Sequence, residues 1–354
     1  MLTNFGLMFK LVFVSILLSM LSFTLQGQDS IKKVKILPVP TIGYSPETKT
    51  YVGAVTLITL DLYNDSATRT SNAKFEVNYT WNKQLILETE WNYFFKEEKW
   101  FTKGKIHYSD YPDFYYGVGT NTPDSNKLLY NSIRFVLEVN ILKKVGDKFF
   151  FGLSGKYINY SSVTSEDSQM YPELADNSTL GVGLTLLRDS RDNLLTPTKG
   201  FYFNINAGYN FSKEDYGEAT IDIRYYKTWE EKYTWANRAI NDFNFGTPPF
   251  YDYAFLGGDK YVRGYNYGRY RDNNLTSLQT EFRLPLIGRF GMATFGGISN
   301  LYKISNFNFI NTKLNYGLGL RFMVDKHDKT NLRLDYAIGD GGNSGFYISF
   351  GESF

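Results

Sequence analysis

The chain has 354 residues and a formal net charge of +2. It contains no block of basic residues, which argues against a nucleic-acid partner. It contains no cysteine, which excludes a disulfide framework and thiolate metal sites. The mean hydropathy of −0.32 is too polar for a bundle of membrane-spanning helices, yet 18% of the residues are aromatic. A content this high is typical of the aromatic girdles that border a membrane-spanning sheet.

The N-terminal segment has the pattern of an export signal. Lys10 precedes an apolar run over residues 11–23, which is too short to cross a bilayer but fits the core of a signal peptide. Gly27 is a small residue that suits cleavage, so we interpret residues 1–27 as a signal peptide and residues 28–35 as a short periplasmic N-terminus. A single membrane anchor is the alternative interpretation.

A two-residue alternation of apolar and polar side chains runs from about Leu37 to Phe354. It is clearest in residues 201–211, where the odd positions are apolar and the even positions are mostly polar. Successive side chains of a strand point to opposite faces, so each such segment has one apolar and one polar face. The pattern predicts about sixteen strands within residues 36–354, over 36–46, 50–62, 71–82, 84–96, 98–110, 128–142, 147–161, 176–189, 200–212, 216–229, 231–242, 274–285, 290–299, 313–324, 330–338 and 345–354.

Charges lie almost without exception on the polar faces of these strands. In the third predicted strand, Phe75 and Val77 share the apolar face, whereas Lys74 and Glu76 share the other. A Lys or Arg at the bilayer midplane costs about 2–4 kcal/mol, so this placement favours lipid outside and water inside. Because lipid cannot satisfy free backbone groups, such a sheet has to close into a barrel. A large soluble sandwich also alternates and is the alternative.

The connections support a barrel with both chain ends on one side. Short turns follow the even-numbered strands, and the long connections all follow odd-numbered ones, over residues 111–127, 162–175, 243–273 and 300–312. Outer-membrane barrels have short periplasmic turns and longer external loops. The short turns and both termini are therefore predicted to face the periplasm.

The first predicted strand contains Pro38 and Pro40. Proline cannot donate a ladder hydrogen bond and is found at sheet edges. Since a barrel closes where its first strand meets its last, the two prolines predict an under-bonded seam opposite Phe346, Ile348 and Phe350. The alternative, that the proline segment precedes the barrel, stays open.

The longest predicted loop carries the sequence Phe-Leu-Gly-Gly-Asp-Lys-Tyr-Val-Arg-Gly-Tyr over residues 255–265. With it occur Tyr-Tyr-Gly-Val-Gly at 115–119, Asp-Ser-Arg-Asp-Asn at 189–193, Pro-Thr-Lys-Gly at 197–200, Thr-Glu-Phe-Arg-Leu-Pro at 280–285, Asn-Tyr-Gly-Leu-Gly-Leu-Arg at 315–321 and Leu-Arg-Leu-Asp-Tyr at 332–336. In this order the segments resemble those of the BamA/TamA superfamily of outer-membrane barrels, the bacterial surface antigen family. The resemblance covers nearly all of the chain after residue 35.

The resemblance implies an all-β fold, a transmembrane antiparallel β-barrel of about sixteen strands with a long external loop folded into the lumen. It assigns that loop the motif residues Gly257, Gly258, Val262, Arg263, Gly264 and Tyr265. In the family, the loop arginine pairs with acidic residues of the inner wall. Glu281 is the expected partner, with Arg283 beside it on the polar face, whereas the family's second acidic position is Gly297 here. A solvated Arg263 is the alternative.

The C-terminal strand resembles the signal by which outer-membrane barrels are recognised for insertion. The expected signal residues are Phe350 and Phe354, on one apolar face with Phe346 and Ile348, and Glu352 interrupts that face near the membrane interface. The resemblance implies the barrel-assembly machinery as a partner for this chain's own insertion.

Residues that could carry catalysis are few. His107 and Ser109 would share a face of the fifth predicted strand, but no motif of a lipase or metal site surrounds them. His327 lies in a charged turn. We therefore expect no catalytic residue, no metal site, no cofactor and no enzymatic activity.

The resemblance implies a barrel in the outer membrane of a Gram-negative bacterium that assists insertion or translocation of proteins or lipids. Relatives of this kind carry periplasmic POTRA domains, and the short segment before the first predicted strand has no room for one. We therefore expect outer-membrane lipid and a separate periplasmic protein as partners, and no nucleic acid. A passive channel and a structural, partner-bound barrel are the alternatives.

Overall fold

A computed structural model describes residues 33–45, 49–63, 65, 67–81, 83–303, 305, 312–325 and 329–354. The predicted signal peptide, residues 1–27, and His327 lie outside the described residues. Among the residues described, no helix has the length and apolarity needed to cross a bilayer.

Sixteen strands form one antiparallel sheet in chain order, which confirms the predicted all-β fold. Two further strands in the described part of the chain, Ala254–Leu256 (β12) and Tyr270–Asp272 (β13), form a separate two-stranded sheet. The bounds are Lys33–Ser45 (β1), Lys49–Asp61 (β2), Ser71–Thr80 (β3), Leu85–Phe94 (β4), Trp100–Tyr115 (β5), Leu128–Gly146 (β6), Phe149–Ser165 (β7), Asn177–Asp189 (β8), Gly200–Phe211 (β9), Tyr216–Trp229 (β10), Tyr233–Phe245 (β11), Ala254–Leu256 (β12), Tyr270–Asp272 (β13), Asn274–Pro285 (β14), Phe290–Tyr302 (β15), Lys313–Asp325 (β16), Thr330–Gly339 (β17) and Ser344–Phe350 (β18).

The predicted alternation is present in the structure. In β8, Leu180, Val182 and Leu184 are exposed on the outer face, whereas Thr179 and Thr185 are buried on the inner face. Most strands repeat this arrangement, so the sheet has an apolar outside and a polar inside. A continuous exposed apolar surface of this size marks contact with a membrane or another protein.

Several strand ends differ from the prediction. The chain enters β1 at Lys33, inside the segment predicted as a periplasmic N-terminus, because the alternation of Val34 and Ile36 with lysines already suits a strand. The β5 strand continues to Tyr115, and its ladder with β6 passes through Pro112 opposite Asn131. Alternation weakens where strands extend beyond the apolar belt, but backbone pairing does not depend on it.

The last strand is shorter than predicted. It ends at Phe350, and Gly351 adopts a left-handed backbone with φ +77° that turns the chain inward. Phe354 is therefore buried against Tyr226 and Ala236 on the inner wall. The expectation that Phe354 shares an apolar outer face with Phe346 was wrong, because the strand period ends at Gly351.

The first and last strands of the sheet, β1 and β18, do not pair in the described part of the chain. The β1–β2 ladder is unbroken through Pro38 and Pro40. Residues two apart in a strand direct their N–H groups toward the same edge. If Pro38 and Pro40, which lack N–H groups, both face the unpaired edge of β1, the ladder to β2 loses no hydrogen bond and stays unbroken. The two edges also differ in length, since β1 has 13 residues and β18 has 7.

Side chains and loops fill both ends of the interior, which we call the lumen. At the end with the short turns, the turn end, a buried cluster comprises Phe94, Phe101, Leu142, Phe150, Leu187 and Tyr202. At the opposite, loop end, another comprises Tyr115, Tyr130, Ile158, Phe250 and Tyr251. Between them remains a cavity of about 620 Å³ lined by charged side chains of both signs.

Candidate functional site: the lumen loop and its arginine network

The loop between β11 and β14 turns back on itself at two glycines. Gly257 has φ +115°, and a Cβ at that position would lie 1.9 Å from the carbonyl oxygen of Asn266. The N–H of Gly258 donates to the carbonyl oxygen of Tyr265 at 3.1 Å. No side chain fits between the two arms of the loop, so this crossing requires glycine.

Val262 and Tyr265 anchor the loop inside the lumen. Both are fully buried and belong to a core cluster with Leu256, Leu275 and Leu301. The Tyr265 hydroxyl donates to the carbonyl oxygen of Leu314 at 2.5 Å and accepts from the Asp340 N–H at 2.8 Å. These contacts attach the loop to β16 and to the chain that follows β17.

Gly264 lets the motif approach the wall closely. Its φ is +104°, and a Cβ there would lie 2.8 Å from the carbonyl carbon of Ile338. Its N–H donates to the Tyr347 hydroxyl of β18 at 2.9 Å. The preceding residue, Arg263, is thereby held against the inner wall.

Arg263 pairs with two carboxylates. Its Nη2 donates to Oε2 of Glu281 at 2.6 Å, and its Nη1 donates to Oδ2 of Asp335. Its guanidinium carbon also lies 3.4 Å from the ring centroid of Phe295. Charge-assisted bonds and a cation–π contact are strongest where water is excluded, and all three charged side chains here are buried.

The pair is part of a larger cluster, which we call the arginine network. Its members are buried or half-buried lumen side chains, namely Arg263, Arg283, Arg321, Arg333, Asp259, Glu281, Asp335 and Glu352. Asp335 also accepts from Arg321 at 2.5 Å and from Arg333 at 2.7 Å. Arg333 in turn binds Asp259 of the loop through both carboxylate oxygens.

Arg283 lies beside Arg263 but forms no ion pair with it, because both side chains are positively charged. Both arginines instead bind Glu281, whose Oε1 accepts from Arg283 Nε at 2.6 Å. Asp335 was not among the predicted partners of Arg263. The alternation of residues 332–336 puts Asp335 on the polar face with Arg333, and this was the available signal for a second acidic partner in place of Gly297.

The C-terminal tail completes the network. The Glu352 side chain is buried and accepts from Arg321 Nε at 2.7 Å, so the predicted position of Glu352 at the membrane interface was wrong. The Ser353 hydroxyl donates to the carbonyl oxygen of Asp259 at 2.7 Å. Arg283 Nη2 donates to the backbone oxygen of Phe354 at 2.9 Å. The tail thus joins the loop to the wall.

The predicted seam residues lie at the two unpaired edges. Pro38 and Pro40 are exposed on β1, and Phe346 and Ile348 are exposed on the outer face of β18. Between the latter two, Tyr347 points inward and bonds to Gly264 and to the carbonyl oxygen of Tyr265. The edge strand and the loop motif are therefore directly connected.

The structure also brings His107 and Ser109 together on the inner wall. His107 Nε2 lies 3.0 Å from Ser109 Oγ, and its Nδ1 lies 3.3 Å from Glu88 Oε2. Ser109 is fully buried, so its hydroxyl does not face a space that a substrate could enter. Across the described residues, His, Asp and Glu side chains form no group that could hold a metal ion.

Comparisons with known proteins agree with this architecture. The family model described as the Omp85 superfamily domain matches residues 63–354, which confirms the resemblance drawn from the motifs. The chain is similar in fold to BamA from Haemophilus ducreyi lacking POTRA domains 1–3, with a TM-score of 0.54 and 13% identity over 91% of this chain and 69% of that one. It is also similar to CdiB from Acinetobacter baumannii, with a TM-score of 0.54 and 12% identity over 91% of this chain and 59% of that one. No curated protein matches significantly.

Proposed function

Because the chain belongs to the Omp85 superfamily, we propose that it assists insertion or translocation of proteins or lipids at the outer membrane. The observation that carries the proposal is the unpaired seam between β1 and β18. Each free backbone group in lipid costs several kcal/mol, so two unpaired edges favour an incoming strand or a lateral opening. In this proposal the barrel lies in the outer membrane of a Gram-negative bacterium, as family membership indicates, and its short turns face the periplasm.

The lumen loop controls the seam in this proposal. Tyr347 of β18 bonds to the loop motif, and the C-terminal tail bonds to Asp259 and Arg283. Any movement of the β18 edge then changes the arginine network. A closed and an open seam can interconvert only if their free energies differ by no more than a few kcal/mol. The contacts shared by the loop, the tail and β18 would set that difference.

A disulfide across the seam tests the proposal. The chain has no cysteine, so Ile36→Cys with Ile348→Cys would introduce the only thiols, near the turn end of each edge. The purified barrel is placed in liposomes, and the folding of a second outer-membrane barrel into them is measured. Oxidation is expected to abolish the acceleration of that folding, and reduction is expected to restore it.

A second disulfide provides the control. Ile205→Cys with Ile221→Cys joins Cα partners in the β9–β10 ladder, far from the seam. Its oxidation should leave the acceleration unchanged. If the oxidised seam variant works as well as the reduced one, lateral opening is not the mechanism.

A passive channel is the second candidate, and the charged cavity favours it. The cavity wall includes Lys74, Lys105, Glu90 and Glu138, a mixture of signs that suits a weakly selective pore. The packed clusters at both lumen ends argue against it. Large steady conductance of the purified protein in planar bilayers would support the channel.

The proposed partners follow from the same architecture. Outer-membrane lipid covers the apolar face, and the barrel-assembly machinery inserts the chain itself. A separate periplasmic protein would deliver the cargo to the turn end. Copurification of the detergent-solubilised barrel with a periplasmic extract, before and after chemical cross-linking, would identify it.

A further inference from the structure

Three cations surround the ring of Tyr202 on the turn-end wall of the cavity. The guanidinium carbons of Arg191 and Arg224 lie 4.5 and 4.8 Å from the ring centroid. Lys103 Nζ lies 5.8 Å from the centroid and donates to the Tyr202 hydroxyl at 3.1 Å. Lys103 also donates to Oδ1 of Asn204 at 3.2 Å. We call these five residues the Tyr202 subsite, and all of them line the cavity.

The carboxylates around the subsite do not balance its cations. Arg191 shares Asp189 with Arg69, and Arg224 shares Asp222 with Arg238. Glu98 pairs with Arg69 and, at 3.9 Å, with Lys148. Lys103 forms no ion pair with a carboxylate in the described part of the chain. Asp242 also lines the cavity and interacts electrostatically with Arg238, so six cations share four carboxylates in this region.

An excess of cationic side chains over carboxylates is energetically costly where bulk water is excluded. Buried charges are paired in proteins, and a cation without a counterion carries a desolvation penalty. The Arg191, Arg224 and Arg238 side chains are all less than one-fifth exposed. An anion bound in the cavity would relieve this penalty.

The subsite also contains hydrogen-bond donors that could bind an anion. Arg191 and Arg224 bond to their carboxylates through Nε and Nη2, which leaves Nη1 of each for another acceptor. Because Lys103 donates to the Tyr202 oxygen and to Asn204 Oδ1, the Tyr202 O–H and the Asn204 amide N–H groups are free to donate. Several donors around a double positive excess suit a doubly charged oxyanion.

We propose that the Tyr202 subsite binds a phosphate group within the lumen. The phosphate would come either from a lipid whose headgroup ends in a phosphomonoester or from free phosphate in the periplasm. This site stands on the local excess of cations around Tyr202 and does not depend on the proposed role in insertion.

Binding is measured by titration calorimetry on the purified barrel in uncharged detergent. The probes are inorganic phosphate, glycerol 3-phosphate as a soluble lipid headgroup with a doubly charged phosphomonoester, and acetate as a singly charged control. Lys103→Gln is expected to weaken phosphate binding about tenfold or more, because it removes a charged donor. Tighter binding of glycerol 3-phosphate than of inorganic phosphate would identify the lipid as the source, and the reverse would identify free phosphate.

Lys105→Gln is the matched control. Lys105 lies two residues along the same strand and faces the same cavity, but it pairs with Glu138 at 3.4 Å. This variant should bind phosphate like the unaltered protein. The proposal is overturned if neither phosphate compound binds, if acetate binds equally well, or if the two lysine variants lose the same affinity.

Discussion

Arg263 of the lumen loop and Glu281 of β14 form a buried ion pair, with 2.6 Å between Nη2 and Oε2. Removing one partner of such a pair leaves an uncompensated buried charge and costs about 3–5 kcal/mol. We predict this loss for Arg263→Ala, measured as the free energy of unfolding by denaturant in detergent. Arg289→Ala, in an exposed turn, should change that free energy by no more than about 0.5 kcal/mol. Equal stability of the two variants would show that the network does not support the barrel.

Gly264→Ala should undock the loop. The added Cβ would lie within 3 Å of the Ile338 backbone and would sit on a left-handed residue with φ +104°. Gly288 is a suitable control, because it has φ +62° and open space around it, so Gly288→Ala costs only about 1 kcal/mol of backbone strain. Limited proteolysis of the loop measures the effect. Faster cleavage is expected in Gly264→Ala alone, and equal rates would contradict the close approach.

Phe354→Ala should destabilise the folded barrel. The ring is buried against Tyr226 and Ala236, and truncating a buried phenylalanine typically costs about 3–5 kcal/mol. Phe346→Ala on the exposed outer face should cost much less. Both variants are refolded into detergent, so that recognition of the C-terminal strand by the barrel-assembly machinery cannot affect the result. Their melting temperatures are then compared. A larger loss for Phe346→Ala would mean that the tail does not pack inside.

Acid should weaken the contact between Asp259 and Arg333. Burial alone would raise the pKa of Asp259, but the Arg333 guanidinium outweighs burial and holds the pKa below its ordinary value of 3.8. A carboxyl with a lowered pKa stabilises the fold above its unfolded pKa and loses that contribution as the pH falls through its folded pKa. Asp259→Asn should therefore melt at a lower temperature than the unaltered protein at pH 6.

The same comparison at lower pH provides the check. The difference in melting temperature should begin to shrink as the pH falls below about 3.8, because the unfolded chain then takes up a proton at Asp259. It should reach its minimum below the lowered pKa of the folded protein, where position 259 is neutral in both proteins. A difference that stays constant from pH 6 to pH 2 would show that the charge of Asp259 does not contribute.

Much of the wall could be predicted from the sequence because strand alternation is local. The predicted bounds of β10 and β14 agree with the structure, and those of β9 differ by a single residue. The prediction failed where the local pattern and the pairing diverge, as in β5, which continues to Tyr115 beyond the apolar belt. It failed again at the end of β18, where Gly351 allows a turn that the apolar spacing of Phe350 and Phe354 does not reveal.

By itself the sequence determined the number of strands in the large sheet, the direction of most faces and the positions of the long loops, because each depends on neighbours a few residues apart. Only the tertiary structure decided that Asp335 joins Glu281 around Arg263, and that the C-terminal tail turns inward to Arg283. Those contacts join residues up to 72 positions apart across the lumen. Their formation depends on the curvature and register of the whole sheet, which no short segment encodes.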